Sequence, residues 1–340
     1  MPLLTLIVPT YKRADNLELL LRALHDELSS LADDVAVIVT DNASPDRTPE
    51  VTAAARAAWP PLIVQRQARN LGPDENFCSA VDRVTSRYFW IISDDDMPKH
   101  GVIARVLALL RSTTPALVYM ESEWINPVTG PHQGARVDAL HFDTLDALGF
   151  ARQVHIWTTF ISGMVVDREL LLRQLGTHTI RRFQGTSLVQ LGWVLPLLQA
   201  DARFVHVHDR CMLATKDNSG GYPLLTTFGV RFARIVADVL GARSRLTRAL
   251  VGGNIAHYLP GMIWGVRQAP SPAHTPEDPW PGMRTELRRY PLFWLVLLPM
   301  GRCPGWLAQP FYQAWRVADR LSRDCARLRL RVAFGRGVAR

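Results

Sequence analysis

The 340-residue sequence predicts an α/β fold: a mostly parallel sheet flanked by helices, followed by a helical, basic C-terminal extension. Three observations carry this. Over the first third of the chain, short β-branched apolar runs alternate with stretches of helical periodicity; several of those runs end in a polar cluster; and the positive charge collects at the far end. Alternation of this kind argues for βαβ units, in which ligands bind beyond the carboxyl ends of the strands.

The elements follow in order. LTLIVPT (4–10) reads as a buried strand, and NLELLLRALHDEL (16–28) places apolar side chains at helical spacing. DVAVIVTDNAS (34–44) is a second strand ending in a polar turn, TPEVTAAARAAW (48–59) a second helix, and PLIVQRQ (61–67) a third strand. Residues 73–85 form a third helix, and RYFWIISDDD (87–96) is an apolar strand running into three carboxylates. Beyond it come a helix (102–112), a strand with acids at its end (116–124), and a Gly/Pro loop (125–138). A strand then helix (160–175), a helix (187–200) and the strand ARFVHVHD (202–209) follow, with the Gly-rich loop KDNSGGYP at 216–223. The character then changes, which sets residues 1–225 as a catalytic body and 226–340 as the extension.

Composition narrows the class. Apolar residues at 48% and charged residues at 21% are those of a globular chain and exclude a disordered one. The net charge of +8 is uneven: residues 281–340 hold twelve Arg and three acids, a net +9, which leaves the first 280 at −1. A near-neutral body with a basic tail meets polyanions, either nucleic acid or an anionic membrane surface. Four scattered cysteines without a CxxC pair speak against structural zinc and a disulfide framework. The N-terminus places its positive charges after a short apolar run, the wrong order for a secretory signal, so the expected location is cytoplasmic.

Three clusters carry chemistry. Asp94-Asp95-Asp96 after the strand FWII repel one another and need a cation or strong hydrogen-bond donors; Mg²⁺ or Mn²⁺ takes one or two carboxylates and completes its shell with substrate phosphates. An acidic turn capping the next helix is the plainer alternative. Asp41-Asn42-Ala43-Ser44 puts short polar groups where a base or ribose is read, or forms only an Asx turn. Arg69-Asn70-Leu71-Gly72-Pro73, followed by Asn76-Phe77, is a third cluster or simply a helix entry. All three together favour a nucleotide-binding crevice.

VPTYKR, then DNAS, RNLGPDENF and SDDD, in that order and spacing, resemble the nucleotide-binding half of a family 2 glycosyltransferase with the GT-A fold. The later ISG segment, the helix around Gln190 and the NSGGY loop look similar to abequosyltransferase-type enzymes of bacterial O-antigen assembly. The resemblance implies that Pro9, Thr10 and Arg13 line the base pocket, that Asp41 with Asn42 reads the base, and that Asn70 and Gly72 lie against the nucleoside. It further implies that Asp94 binds the ribose, that Asp96 holds the Mn²⁺ or Mg²⁺ against the diphosphate, and that Asp95 supports one or both and counts among the catalytic residues.

One departure stands out. The Glu-Asp pair that inverting members place about ninety residues after the metal motif is missing from FQGTSLVQLGWVLPLLQAD, which leaves Glu121, Glu123, Asp209 and Asp217 as candidate bases, or a retaining reaction with none. His206 and His208 alternate on one strand; His208 is the candidate extra metal ligand, against a reading of both as satisfied imidazoles. Lys216 is a candidate to neutralise the leaving diphosphate, or a solvated lysine.

In the tail, with Phe311 at zero and 100° per residue, Trp315, Ala318, Leu321, Cys325, Leu328 and Val332 fall on one face. Arg316, Arg320, Arg323, Arg327 and Arg331 fall opposite. Such a helix suits an anionic bilayer surface, or packs its apolar face on the body. The run Leu292 to Leu298 is too short to span a membrane, and Asn254, His257 and Pro260 make 249–266 a packed hairpin. The expected partners are therefore a nucleoside-diphosphate sugar, a saccharide acceptor linked to polyprenyl diphosphate, the inner membrane face and a possible second copy, with no nucleic acid. The alternatives are a sugar-nucleotide nucleotidyltransferase, which normally has glycines after the first strand that VPTYKRADN lacks, and a non-catalytic basic protein binding nucleic acid.

Overall fold

A computed structural model describes residues 1–126, 134–216, 221–268 and 278–334, with side chains as far as Leu321. The chain divides into two compact units, 1–220 with 235–249 and 221–234 with 250–340. The boundary expected at 225 lies five residues beyond the end of the first segment.

The first unit is built on one sheet. Strands β1 (Leu4–Thr10), β2 (Val35–Asp41), β3 (Ile63–Arg66) and β4 (Tyr88–Ile91) lie in the order β3-β2-β1-β4, all parallel. Between them run α1 (Ala14–Leu28), α2 (Thr48–Ala58) and α3 (Pro73–Val81). Every residue of β1 is buried, as a central strand covered on both faces requires. Helix α1 turns Leu17, Leu20, Leu21, Leu24 and Leu28 into the core, the 3–4 spacing visible in its sequence.

The second half of the sheet departs from the expectation of parallel strands. It comprises β5 (Met97–Pro98), β6 (Leu117–Ile125), β7 (Phe142–Leu145), β8 (Met164–Asp167) and β9 (Phe204–Thr215). β8 runs antiparallel to both β4 and β6, and β9 is parallel to β6 but antiparallel to β5 and β7. Two short 3₁₀ turns, His155–Thr159 and Ile161–Gly163, lead directly into β8. Helices α4 (Val102–Thr113), α5 (Ala147–Val154), α6 (Arg168–Leu175) and α7 (Leu191–Leu197) complete the unit.

Sequence periodicity misses β7 and α5, which are short; the Asp146 side chain, accepting from Gly149 N at 2.6 Å, is the N-cap that marks the latter. Helix α7 is shorter than 187–200 because Ser187 has a positive φ of 61° and Pro196 stands near the other end. β9 continues six residues beyond the expected 209, through a register shift that lets Val207 face Met120 and Met212 face Ser122.

Asn76, quoted above as part of a polar cluster, is buried and ties α3 to β2. It accepts from Thr40 Oγ1 at 2.8 Å and donates from Nδ2 to Thr40 O at 3.0 Å. Asn76→Ala leaves buried Thr40 groups unpaired and is expected to cost about 2–3 kcal/mol, a fall in Tm of roughly 5–10 °C by calorimetry.

The second unit is helical. The division of the chain falls within α8 (Phe232–Leu240) and α9 (Arg245–His257), and the unit continues through α10 (Leu259–Gln268), α11 (Trp280–Leu287), α12 (Leu298–Arg302) and α13 (Gly305–Phe334). Its core includes Met283, Leu287, Phe293, Leu297, Met300 and Ala308, each fully buried. Val230 packs against Gly282, and Met283 against Gly229. Among the described residues no helix is long and apolar enough to cross a membrane.

The face of α13 that packs inward differs from the helical-wheel expectation. Trp315 Nε1 donates to Ala256 O at 2.6 Å, Tyr312 stacks on Trp264 at 4.7 Å, and Asp319 is buried against His257 Nδ1 at 2.6 Å. Trp306, Leu307, Phe311, Val317 and Leu321 are left exposed. The side chains of Cys325, Leu328, Val332, Arg323, Arg327 and Arg331 lie outside the described residues.

Candidate active site

The parallel half of the sheet aligns four strand ends. Thr10 pairs with Asp41, and Asp41 with Arg66, while Ile92 N donates to Ile7 O at 2.8 Å as β4 leaves the sheet. Pro9, Thr10, Asp41, Asn42 and Asp94 to Asp96 thus gather at one edge of the first unit, all buried.

Asp41 is gripped from both sides. Its Oδ1 accepts from Ser44 N at 2.9 Å and its Oδ2 from Arg66 Nη1 at 2.6 Å, while Arg66 Nη2 donates to Ser44 O at 2.9 Å. The turn that makes this possible has Ala43 at a φ of 59°, and Ser44 Oγ in turn accepts from Lys12 N at 3.0 Å. Asn42 Nδ2 donates to Asn70 Oδ1 at 2.8 Å, Asn42 Oδ1 accepts from Leu71 N at 2.8 Å, and Asn70 Oδ1 also accepts from Gly72 N at 2.9 Å. The DNAS and RNLG segments, 28 positions apart, are therefore one hydrogen-bonded surface. Gly72 has a φ of +82° with open space where a Cβ would sit, so the backbone conformation selects glycine there.

Arg66 was hidden from sequence reasoning, because a lone Arg at a strand end reads as a solvated charge. Arg66→Ala removes a half-exposed ion pair worth roughly 1 kcal/mol and is expected to weaken nucleoside-diphosphate binding about fivefold in a calorimetric titration.

The three carboxylates are held by different elements. Arg13, at the entry to α1, sends Nη1 to Asp94 Oδ1 at 2.9 Å and to Asp95 Oδ2 at 3.1 Å. Ser93 Oγ donates to Asp95. From β9, Thr215 N donates to Asp96 Oδ1 at 3.0 Å and Thr215 Oγ1 to Asp95 O at 2.7 Å. Ser162 Oγ accepts from Ser93 N at 3.0 Å, and Trp90 Nε1 donates to Ser162 O at 2.8 Å. Burial pushes the Asp94 carboxyl up to about 6 against the opposing pull of Arg13. Burial, then the charge of Asp95, pushes Asp96 up to about 7.

These residues fit a hard divalent cation. Asp94 Oδ2 is buried and faces no donor beyond the Thr10 hydroxyl, and the three acids, when all are ionised, leave a net charge of −2 with one Arg. Among the described residues no three His, Cys, Asp or Glu side chains converge as a complete cage. One or two carboxylates, with the remaining positions left to phosphate and water, is the arrangement Mg²⁺ and Mn²⁺ adopt.

The other expected residues lie apart from this cluster. His208 pairs with Asp143 Oδ2 at 3.1 Å, and His206 bonds Glu121 Oε1 at 3.0 Å and Gln153 Oε1 at 2.6 Å. Along β6, the register places Val207, next to His208, five residues from Thr215, roughly 16 Å of strand. The structure thus does not bring His208 to Asp96. Of the candidate bases, Glu121 is held by His206, Asp209 accepts from His141 N at 2.5 Å, and Glu123 pairs with Lys99 at 2.7 Å. Asp217 lies outside the described residues. Lys216 is exposed and directly follows Thr215, which puts its backbone beside the carboxylates.

A parallel sheet presenting a hydrogen-bonded polar surface at two strand ends and three carboxylates at a third is the arrangement in which open α/β sheets bind ligands, beyond the carboxyl ends of their strands. Residues 5–171 match the family model described as Glycosyl transferase family 2, and this part of the chain is a domain of that family. Abequosyltransferase RfbV of Salmonella typhimurium (strain LT2) is 36% identical over 95 residues; the match covers 28% of this chain and 28% of that protein. Among solved structures, S. aureus TarS 1-349 in complex with UDP-GlcNAc superposes with a TM-score of 0.61 at 14% identity, over 95% of this chain and 92% of that one. The mannosyltransferase PcManGT from Pyrobaculum calidifontis, in complex with GDP-Man and Mn²⁺, gives 0.53 at 16% identity, over 94% and 87%. At these identities the structural likeness establishes the GT-A fold.

Proposed function

We propose that this chain transfers a sugar from a nucleoside-diphosphate sugar to a hydroxyl of a saccharide acceptor in bacterial cell-surface polysaccharide assembly. The observation that carries the reading is the joining of the Asp41–Asn42–Asn70 surface to Asp94–Asp96 across adjacent parallel strands, which matches a ligand with a nucleoside at one end and a diphosphate at the other. The partial identity to an abequosyltransferase and the GT-A neighbours that bind UDP-GlcNAc or GDP-Man support it.

In this reading Asp41 and Asn42 orient the base and ribose, Arg13 fixes Asp94 and Asp95, and Thr215 fixes Asp96. Asp96, with Asp94, would hold Mn²⁺ or Mg²⁺, which supplies charge neutralisation for the diphosphate as it leaves. Lys216 adds a second positive group at the same edge. Incubation with a panel of radiolabelled nucleotide sugars is expected to give hydrolysis or transfer of one of them. Pyrophosphate release from a nucleoside triphosphate, with no hydrolysis or transfer of a sugar, would instead make the chain a nucleotidyltransferase.

The acceptor is proposed to be linked to polyprenyl diphosphate, with the enzyme lying peripherally on the cytoplasmic membrane face. The second unit supports this with exposed Leu292, Trp294, Leu295, Trp306, Leu307 and Phe311 in a region rich in arginine. Arg284 and Arg316 stand over the rings of Trp294 and Tyr312 at 5.6 Å and 5.8 Å, so arginine and aromatic side chains mix more than a helical wheel predicts. Salt-sensitive binding to single-stranded oligonucleotides, with none to anionic liposomes, would turn this surface into a nucleic-acid site.

A further inference from the structure

We propose that Trp124, Trp157 and Phe160 form an aromatic platform that receives the C–H face of a sugar ring of the acceptor, beside Asp94–Asp96. The proposal rests on the glycosyl-transfer reading for the identity of its ligand.

Trp124 comes from β6 and Trp157 and Phe160 from the turn before β8, and the three rings meet at one end of β6. Trp124 lies 5.7 Å from Trp157 and 5.4 Å from Phe160, centroid to centroid, and Trp157 meets Phe160 edge-on at 6.5 Å. Trp124 is 40% exposed at the end of a strand whose first four residues, Leu117 to Met120, are buried. Three large aromatics, one 40% exposed and two half-buried, form a small apolar surface that a ligand could cover. A pyranose offers a matching surface, one face carrying mainly C–H groups and an edge of hydroxyls. Stacking buries the first while leaving the second for polar groups.

The cluster is locked to the carboxylates on two sides. Trp124 pairs with Ala214, and the next pair is Ile125 with Thr215, the residue that bonds both Asp95 and Asp96. Phe160 is two residues from Ser162, which bonds Ser93 at the start of the acidic run. Between them, Gly163 leaves no room for a side chain: a Cβ there would lie 2.8 Å from the Phe160 ring and 2.9 Å from Met120 O. Phe160 is therefore set against β6 by a backbone contact only glycine permits.

Its place in the sheet gives the platform its role. In the order β3-β2-β1-β4-β8-β6-β9, the nucleoside surface lies at β2 and β1, the carboxylates follow β4, and the aromatic rings lie at β6. A ligand whose nucleoside sits on one side and whose diphosphate sits at the centre leaves the aromatic side to the molecule that receives the sugar.

The test is saturation-transfer NMR with methyl glycosides of glucose, galactose, mannose and rhamnose at millimolar concentration, alongside calorimetric titration with UDP, GDP and CDP. The full chain should transfer saturation to the C–H protons of one ring face of at least one glycoside. Trp124→Ala/Trp157→Ala should reduce that signal at least fivefold while leaving nucleoside-diphosphate affinity within twofold, and Trp157→Phe should retain most of it. If the double variant does not fold, the partly exposed Trp124→Ala alone serves, with at least a twofold loss expected. The platform is refuted if no glycoside receives saturation from the full chain, if the variants bind it equally well, or if nucleotide affinity falls in parallel. Glycoside binding that depends on the rings in a protein that binds no nucleoside diphosphate would support the platform and refute glycosyl transfer.

Discussion

Asp96→Asn is expected to lower sugar transfer about 10³-fold, on the order of 4 kcal/mol of transition-state stabilisation, while making the ligand-free protein more stable at pH 8. The activity loss follows from the proposed role: an amide carries no charge to set against a cation. Chelator should weaken nucleotide binding to the native protein and leave binding to the variant unchanged. The stability gain follows from burial and from Asp95, which push the Asp96 carboxyl up to about 7, well above the value of about 3.9 expected of an unfolded chain. A carboxyl raised on folding stabilises only while protonated; its contribution is complete below about pH 4 and lost as pH rises through about 7. Asparagine stays neutral throughout and still accepts from Thr215 N. Calorimetric Tm of the variant should therefore exceed that of the native protein at pH 8, with the gap closing toward pH 4. Transfer within tenfold of native, or a lower Tm at pH 8, would overturn the assignment.

Trp306→Ser/Leu307→Ser/Phe311→Ser is expected to reduce flotation with anionic liposomes about a hundredfold. Each side chain is exposed, so the helix keeps its inward contacts through Ala308, Tyr312, Trp315 and Asp319. Fully burying such a side chain is worth about 1.5–3 kcal/mol, so three that are 74%, 37% and 41% exposed carry about 2–5 kcal/mol together, around the 2.7 kcal/mol that a hundredfold requires. Salt should weaken native binding through the arginines. Truncation near residue 280 is the poorer experiment, because it removes Met283, Leu287, Phe293, Leu297 and Met300 from the core of the second unit. Flotation unaffected by the triple substitution, or absent in the native protein at low salt, would leave this face without a membrane role.

What the sequence made legible was local. The apolar runs at 4–10, 34–44 and 87–96 announce strands because β-branched and aromatic residues concentrate there, and the helix at α1 because Leu recurs at three and four. The carboxylates were visible because three adjacent charges after a buried strand have few structural uses. Long-range partners were not visible. Arg66, Ser162 and Thr215 support Asp41 and the acidic run from positions 25 to 120 residues away, and nothing in a single chain marks such pairs. The direction of β8 was equally hidden, since a short apolar run reads the same whichever way it enters a sheet. The inward face of α13 was hidden for a related reason: a helical wheel sorts by polarity, whereas Asp319 is buried because His257 meets it.

Arg13 sits between Asp94 and Asp95 before any ligand arrives, and this has a thermodynamic corollary. An internal counter-ion offsets part of the repulsion among the carboxylates, and the same positive charge would lower the affinity of these residues for a bare cation. In the proposed chemistry cation and nucleotide would favour each other's binding by an equal factor, as reciprocal linkage demands. Under the proposed chemistry, occupancy by metal would follow the supply of sugar nucleotide, and release of the spent nucleotide would loosen the ion with it.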